Sequence, residues 1–306
     1  MAFHVNNIKK QKTNGKGFKA NATLFSATPY FLLLMILVLL PFIFIILYAF
    51  MSKSASKIYL TLDNFSKFVT NGNFVAAAGK SLLFAFVTTV ICLILAYPIA
   101  YFIGRSKAKV RSLLVTLITV PMWINMLLRI LAWQQIFGMI SSWTGITLLG
   151  TDFAIIFGMV YIFLPFMIIP LYTSIMKIDP AFYEASKDLG ADSVETFFKV
   201  SLPLSMPGII SGITMVFLPA ATSIIIPQEL GDGNSKYILI GNLIESYFYK
   251  GDDYYFGSAI AVVLSLTLLL SIYLVNKLDR TNVKDRSFVK KYAKFGYEKA
   301  LEGGNR

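Results

Sequence analysis

The chain is short of the residues that most enzymes use for chemistry. Its 306 residues include one cysteine, Cys92, and one histidine, His4. A lone thiol excludes an intrachain disulfide framework or a thiolate-rich metal site, and a lone imidazole in the polar amino-terminal arm removes histidine-based zinc, haem and proton-relay chemistry. Charge is scarce too. Charged residues are 14% of the chain against 56% hydrophobic, where a soluble domain carries about a quarter charged. Acid is the scarcer sign, with 16 Asp and Glu against 28 Lys and Arg and a net charge of +12. In a soluble chain that excess would suggest nucleic acid; here its meaning depends on where the charges lie.

What the chain has is six long apolar runs, at roughly residues 29–51, 81–103, 113–131, 153–175, 204–227 and 258–276. A hydrocarbon core about 30 Å thick takes about 20 helical residues to cross. The runs lack the alternating polarity of barrel strands, and lipid offers backbone groups no partner, so each predicts a continuous helix. Their only formal charge is Arg129. The fold class expected is all-α: a polytopic membrane protein with six transmembrane helices over 29–276, a basic arm at 1–28 and a basic tail at 277–306.

The basic residues sort by side. Segments 1–28, 104–112, 176–203 and the tail hold 21 Lys and Arg, whereas the alternate loops hold six. The positive-inside rule then places both termini in the cytoplasm, together with the run Arg105, Lys107, Lys109, Arg111. The first apolar run exceeds the roughly 7–15 residues of a signal-peptide core and reads as a retained helix. In the tail, Lys290, Lys291 and Lys294 alternate with Phe288, Tyr292, Phe295 and Tyr297, a pattern for an amphipathic helix on anionic headgroups or for a solvated tail. Pro41, Pro98, Pro121, Pro165, Pro170, Pro207 and Pro219 fall within the runs. Each removes a helix hydrogen bond, and seven together predict bent helices around a gated pathway.

One polar segment is strongly non-random, the loop 179–203 between the fourth and fifth runs. Asp179 can cap a helix with Pro180 in its first turn, Gly190 supplies a left-handed stop, Asp192 with Glu195 makes a capping-box-like restart, and Pro203 limits the second helix. Phe182, Ala185, Ser186 and Leu189 fall near one face, a surface shaped to enter a groove of another protein. The segment Glu184-Ala185-Ser186, three residues, Gly190, nine residues, Val200, one residue, Leu202-Pro203 resembles the cytoplasmic loop of binding-protein-dependent ABC importer permeases, with Ser186 and Val200 standing where that pattern has Ala and Ile. The stretches Val120-Pro-Met-Trp-Ile-Asn125, Leu128-Arg129-Ile-Leu-Ala-Trp133, Tyr161-Ile-Phe-Leu-Pro165-Phe, Ile169-Pro-Leu-Tyr172 and Leu239-Ile-Gly241-Asn242 are similar to permeases of spermidine and putrescine importers.

The resemblance implies a type I importer permease fold in a bacterial inner or plasma membrane. Glu184, Ala185, Ser186, Gly190, Leu202 and Pro203 would couple it to an ATPase. The implied partners are a second, similar permease, two ATP-binding subunits and an extracellular polyamine-binding protein; ATP and Mg would be bound by the ATPase, with no cofactor in this chain, which is not itself an enzyme. Gly79-Lys80-Ser81 ends like a phosphate-binding loop, but its first glycine position holds Phe74. Asn64-Phe-Ser66 fits a glycosylation sequon without further support.

A cationic substrate needs carboxylates or aromatic faces. Glu229 first and Asp152 second are the candidate contacts, at the outer ends of runs, with Trp123, Asn125, Tyr161 and Tyr172 as further pathway residues. Arg129 is expected to snorkel outward or to pair with an acid such as Asp152. Two other readings compete: an ion-coupled secondary transporter, which lacks intramembrane acids, and an ABC importer permease for a different small solute.

Overall fold

The computed structural model describes residues 16–54, 57–70, 72–233, 237–249, 253–275 and 277. Most of the basic arm and the tail with its Lys290, Lys291 and Lys294 lie outside them. Helix α1 (Lys16–Ala49) leads into a hairpin of β1 (Met51–Ser54) and β2 (Lys57–Leu60), antiparallel with Met51 opposite Leu60. Then follow α2 (Asp63–Thr70), α3 (Gly72–Arg105), α4 (Ala108–Thr119), a 3-10 turn (Val120–Trp123), α5 (Met126–Thr144), α6 (Asp152–Met176) and α7 (Pro180–Asp188). Beyond these come α8 (Ser193–Thr196), a π turn (Phe197–Ser201), α9 (Leu202–Leu204), α10 (Met206–Ala221), α11 (Ile225–Leu230), α12 (Ile240–Tyr249) and α13 (Tyr254–Val275).

Four helices are long and apolar enough to cross a membrane singly: α1 from Thr28, α3, α6 and α13. The third and fifth predicted spans are not continuous helices. The third bends by 89° between Trp123 and Met126, and the fifth is interrupted at Thr222–Ile224, between α10 and α11, and meets the α8–α9 stretch at its start, Ser205, through a 65° bend. With each bent pair counted as one span, the described residues hold six. The first break has a local cause. Pro121 opens the 3-10 turn, and Asn125 leaves the helical region (φ −51°, ψ 131°) to cap α5, its side chain accepting from the Leu127 N–H at 2.8 Å. Apolarity on both sides of the break hides it from a hydropathy reading. In contrast, Pro98, Pro165 and Pro170 lie inside helices that run on through them, and Pro207 sits in the first turn of α10, where a missing N–H costs little.

The core is a three-helix contact among α3, α6 and α10. On α3, Ala85, Cys92, Ala96 and Ala100 are fully buried, against Ile155, Met159, Met167 and Leu171 of α6 and Val216 and Ala220 of α10. Small residues let backbones approach where lipid supplies no hydrophobic drive between helices. The approach is tightest at Gly208, where an added Cβ would lie 2.5 Å from Ser174 Cβ and 2.7 Å from the Pro170 carbonyl.

A second cluster, Phe68, Phe74, Phe256 and Ile260, ties α2 and α3 to α13, with Phe74 edge-on to Phe256 at 4.9 Å. Beside it Asn64, 1% exposed, donates through Nδ2 to the Ala49 and Met51 carbonyls at 3.2 and 2.8 Å. That amide is a buried clasp, so it does not serve as a sequon. From Thr28 on, helix α1 makes almost no use of the bundle: every residue from Thr28 to Phe44 is exposed, and Ala49 is the only buried one between Thr28 and Ala49.

Candidate functional site

The loop 179–203 forms as its cap residues dictate. Asp179 accepts from the Ala181 N–H at 3.0 Å, Pro180 occupies the first turn of α7, and Gly190 closes it at φ +81°. The closing bonds run from the Gly190 and Ala191 N–H groups to the Lys187 and Ser186 carbonyls at 2.9 and 3.0 Å. Left-handed backbone of this kind costs a residue with a Cβ about 1–2 kcal/mol. Asp192 then accepts from the Glu195 N–H. The Glu195 carboxylate turns outward to Lys199 at 3.0 Å, so only half of the predicted capping box forms.

The helix face differs from the predicted one. Ser186 is not on the outer surface: it is 9% exposed and its Oγ lies 2.9 Å from Thr196 Oγ1, locking α7 to α8. Tyr183, one turn earlier, is buried as well and carries the Arg105 guanidinium 4.3 Å above its ring. The reason is helical period, since 183 and 186 share the inward stripe while 182, 185 and 189 lie off it. What stands outside is Glu184, Ala185, Phe182 (41% exposed), Leu189 (88%), Val194 (62%) and Phe198 (59%). These are large apolar side chains on a charged loop beyond the apolar spans, and no described residue covers them. Leu202 and Pro203 form α9, the last turn before the 65° elbow.

Residues that sequence reasoning did not single out join this loop to the bundle. Phe197, in the π turn, packs edge-on against Tyr97 and Tyr101 of α3 at 5.1 and 6.1 Å. The Tyr97 hydroxyl meets Ser205 Oγ at 2.7 Å, and Arg105 donates to the Tyr101 hydroxyl at 2.7 Å. A π turn inside a helix is itself a frequent mark of a functional segment. The sequence signal was faint: Tyr97 is a polar hydroxyl in mid-run, beside Pro98.

At the opposite end of the bundle lie Asp152 and Glu229. Asp152 begins α6 behind its cap Thr151, and Glu229 sits in α11, half-buried, its carbonyl accepting from Gln134 Nε2 at 2.8 Å. The Gly150 N–H donates to the Leu230 carbonyl at 2.9 Å, which holds the two segments together. Asp152 pairs with Lys80 at 3.6 Å and not with Arg129. Arg129 instead lies over the Tyr161 ring at 5.9 Å, nine residues along α6 from Asp152 or about 14 Å at 1.5 Å per residue. It neither reaches the far end nor pairs with that acid.

The remaining candidates do not converge. Trp123 is 84% exposed at the end of the 3-10 turn, and Asn125 is spent on capping α5. Tyr161 packs edge-on to Trp133 at 5.6 Å. Tyr172 lines a cleft near the loop end with Arg111, Ser112 and Thr116. Gly79-Lys80-Ser81 lies inside α3, where helix bonds occupy the N–H groups that a phosphate would need, and Ser81 Oγ accepts from the Ile240 N–H at 2.9 Å.

Comparison with known proteins places this geometry. Residues 96–282 match the family model for the binding-protein-dependent transport system inner membrane component. The chain is 35% identical over 269 residues to the spermidine/putrescine transport system permease protein PotB of Haemophilus influenzae, covering 82% of this chain and 93% of that one. It is 38% identical over 256 residues to the protein of the same name from Escherichia coli K12, covering 78% and 92%. Among solved structures, a bacterial ABC transporter that imports the acidic polysaccharide alginate superposes with a TM-score of 0.71 at 18% identity, over 87% of this chain and 97% of that one. At that identity the likeness speaks for the fold.

Proposed function

The chain belongs to the family of binding-protein-dependent transport system inner membrane components, and from that premise we propose that it is the permease subunit of an ATP-driven importer that moves polyamines of the spermidine and putrescine class into the cytoplasm. It is a transport subunit, and ATP hydrolysis belongs to a separate chain. Its membrane portion forms about half of a pathway, the other half coming from a second, similar permease. A binding protein delivers the cation at the end that carries Asp152 and Glu229, and two ATPase subunits bind at the loop end. Both termini lie on the loop side, in the cytoplasm, in keeping with the 21 basic residues counted there.

The observation that carries this reading is the apolar cap of Phe182, Leu189, Val194 and Phe198 around Gly190. Four large apolar side chains exposed on a charged, extramembrane loop are an interface awaiting a partner, and Glu184 and Ala185 stand beside them. Closure of the ATPase pair would push on α7. The Ser186–Thr196 bond would carry that push to α8, and Phe197 with the Tyr97–Ser205 contact would pass it to α3 and to the elbow of α10. The substrate class follows from the relatives and from the acids at the far end. In proteoliposomes holding the complete complex, ATP and the binding protein, labelled spermidine accumulates with the native chain, and Gly190→Trp abolishes accumulation while expression persists. Uptake at the native rate with Gly190→Trp, or uptake driven by an ion gradient without ATP, would overturn the reading.

A further inference from the structure

One cation at the far end is held as a ligand would be. Lys80 lies in the third turn of α3, and its side chain is 20% exposed. Its Nζ is 3.6 Å from Asp152 Oδ1, 4.2 Å from the centre of the Tyr237 ring and 5.1 Å from that of Phe84. Both rings are fixed, at 5% and 3% exposure, whereas the Asp152 side chain is 54% exposed. Among the described residues, the ammonium thus meets two rigid aromatic walls and one carboxylate wall, a box with access from outside along that carboxylate. Ring faces beside a carboxylate suit an organic ammonium, whereas magnesium and calcium prefer a shell of oxygen ligands to aromatic faces. The occupant is telling as well: a lysine side chain is four methylenes ending in an ammonium, the same fragment as one arm of an aliphatic diamine.

We propose that this box is a subsite for a terminal ammonium of the transported polyamine, and that Lys80 is a tethered surrogate which fills it until substrate takes its place. The proposal rests on the polyamine reading above and adds to it a position and a competitor. The exchange swaps one ammonium for another, so Asp152 is never left without a counter-charge, and the released lysine swings to solvent on its flexible stem. Because Lys80 belongs to α3 and Asp152 to α6, the exchange also opens the ion pair that joins the far ends of these two core helices. Arrival of substrate and release of that clasp become a single event.

The test uses the complete complex in detergent, without ATP or binding protein, and radiolabelled putrescine in equilibrium dialysis. Lys80→Gln removes the internal competitor and is expected to tighten binding about ten-fold. Adding Asp152→Asn abolishes that gain, and Lys80→Arg stays near native. A lysine that only braces the helices predicts unchanged or weaker binding in Lys80→Gln, and either result overturns the proposal. A second measurement needs no substitution: acylation of Lys80 by a membrane-impermeant amine reagent, read by peptide mass spectrometry, with and without tetramethylated putrescine, which keeps both charges and offers no amine to acylate. Displacement raises labelling several-fold; unchanged or reduced labelling refutes it. Import by the native complex with ATP and binding protein is run alongside. Its absence would fault the transport reading, whereas native import with unchanged putrescine binding in Lys80→Gln faults the subsite alone.

Discussion

The contact between Tyr97 and Ser205 makes an asymmetric prediction. The two hydroxyls are 2.7 Å apart, with Tyr97 6% and Ser205 0% exposed. Ser205 Oγ also donates to the Leu202 carbonyl at 3.1 Å, so the tyrosine is the donor between them. Tyr97→Phe removes one bond and leaves Ser205 still bonded, at a net cost of about 1 kcal/mol. Ser205→Ala removes the same bond and the bond to the Leu202 carbonyl, and also strands a buried phenol hydroxyl, which adds about 1–3 kcal/mol of unrepaid desolvation. The double variant leaves no buried phenol hydroxyl unpaired and should be more stable than Ser205→Ala alone, a positive coupling readable as a double-mutant cycle. The measurement is the loss of the assembled complex, purified identically for each variant, across a temperature series followed by size exclusion. The expected order of midpoints is native, Tyr97→Phe, double variant, Ser205→Ala. Because the contact sits at the 65° elbow, ATP-driven uptake at fixed temperature should fall in the same order. Tyr97→Phe costing more than Ser205→Ala, or a double variant below Ser205→Ala, would refute the assignment of donor and orphan.

Two further outcomes follow from the geometry. Leu189→Asp and Phe198→Asp, at positions 88% and 59% exposed, should leave the thermal midpoint of the isolated permease within about 0.5 kcal/mol of native yet prevent co-purification of the ATPase; retention of the ATPase by both would argue against this docking surface. Gly208→Ala should cost about 1–3 kcal/mol by overpacking, since the added methyl meets Ser174 Cβ and the rigid Pro170 carbonyl, whereas Gly212→Ala should cost less because its nearest obstacle is the pliable Met167 Sδ at 2.5 Å. Equal midpoints for the two, by the same thermal series, would contradict the packing argument.

The spans and the loop were legible in the sequence for different reasons. Apolarity along the chain reports the membrane solvent directly, so α1, α3, α6 and α13 were located to within a turn or two at most ends. Two starts were exceptions: α1 begins at Lys16 where the apolar run begins at 29, and α3 begins at Gly72 where the run begins at 81, its first turns being packed by the aromatic cluster around Phe74. The loop declared itself through caps, since Asp179, Gly190 and Asp192 act on their immediate neighbours. Breaks at Asn125 and at Thr222–Ile224 stayed hidden because a hydropathy window cannot tell a broken helix pair from a straight helix, whereas the elbow at Ser205 lies at the boundary that Pro203 marks. The inward turn of Ser186 needed its partner Thr196, ten residues on, and Lys80 was set aside with a false phosphate loop because its partners Asp152 and Tyr237 are distant in the chain. The pairing of Arg129 with Asp152 failed for the same reason: depth along a helix separates residues that a list of charges brings together.

Helix α1 divides the labour of folding unequally. Anchored at Ala49 and by the edge-on contact of Tyr48 with Tyr255 at 5.7 Å, and otherwise bare from Thr28 to Phe44, it is stabilised by insertion into lipid and hardly at all by its own protein. An element tied to its bundle at one end alone can change along its exposed face without repacking a core. Substitutions on the exposed face of this amino-terminal helix are thus expected to leave the packing of the three-helix junction unmoved, while substitutions within that junction are not.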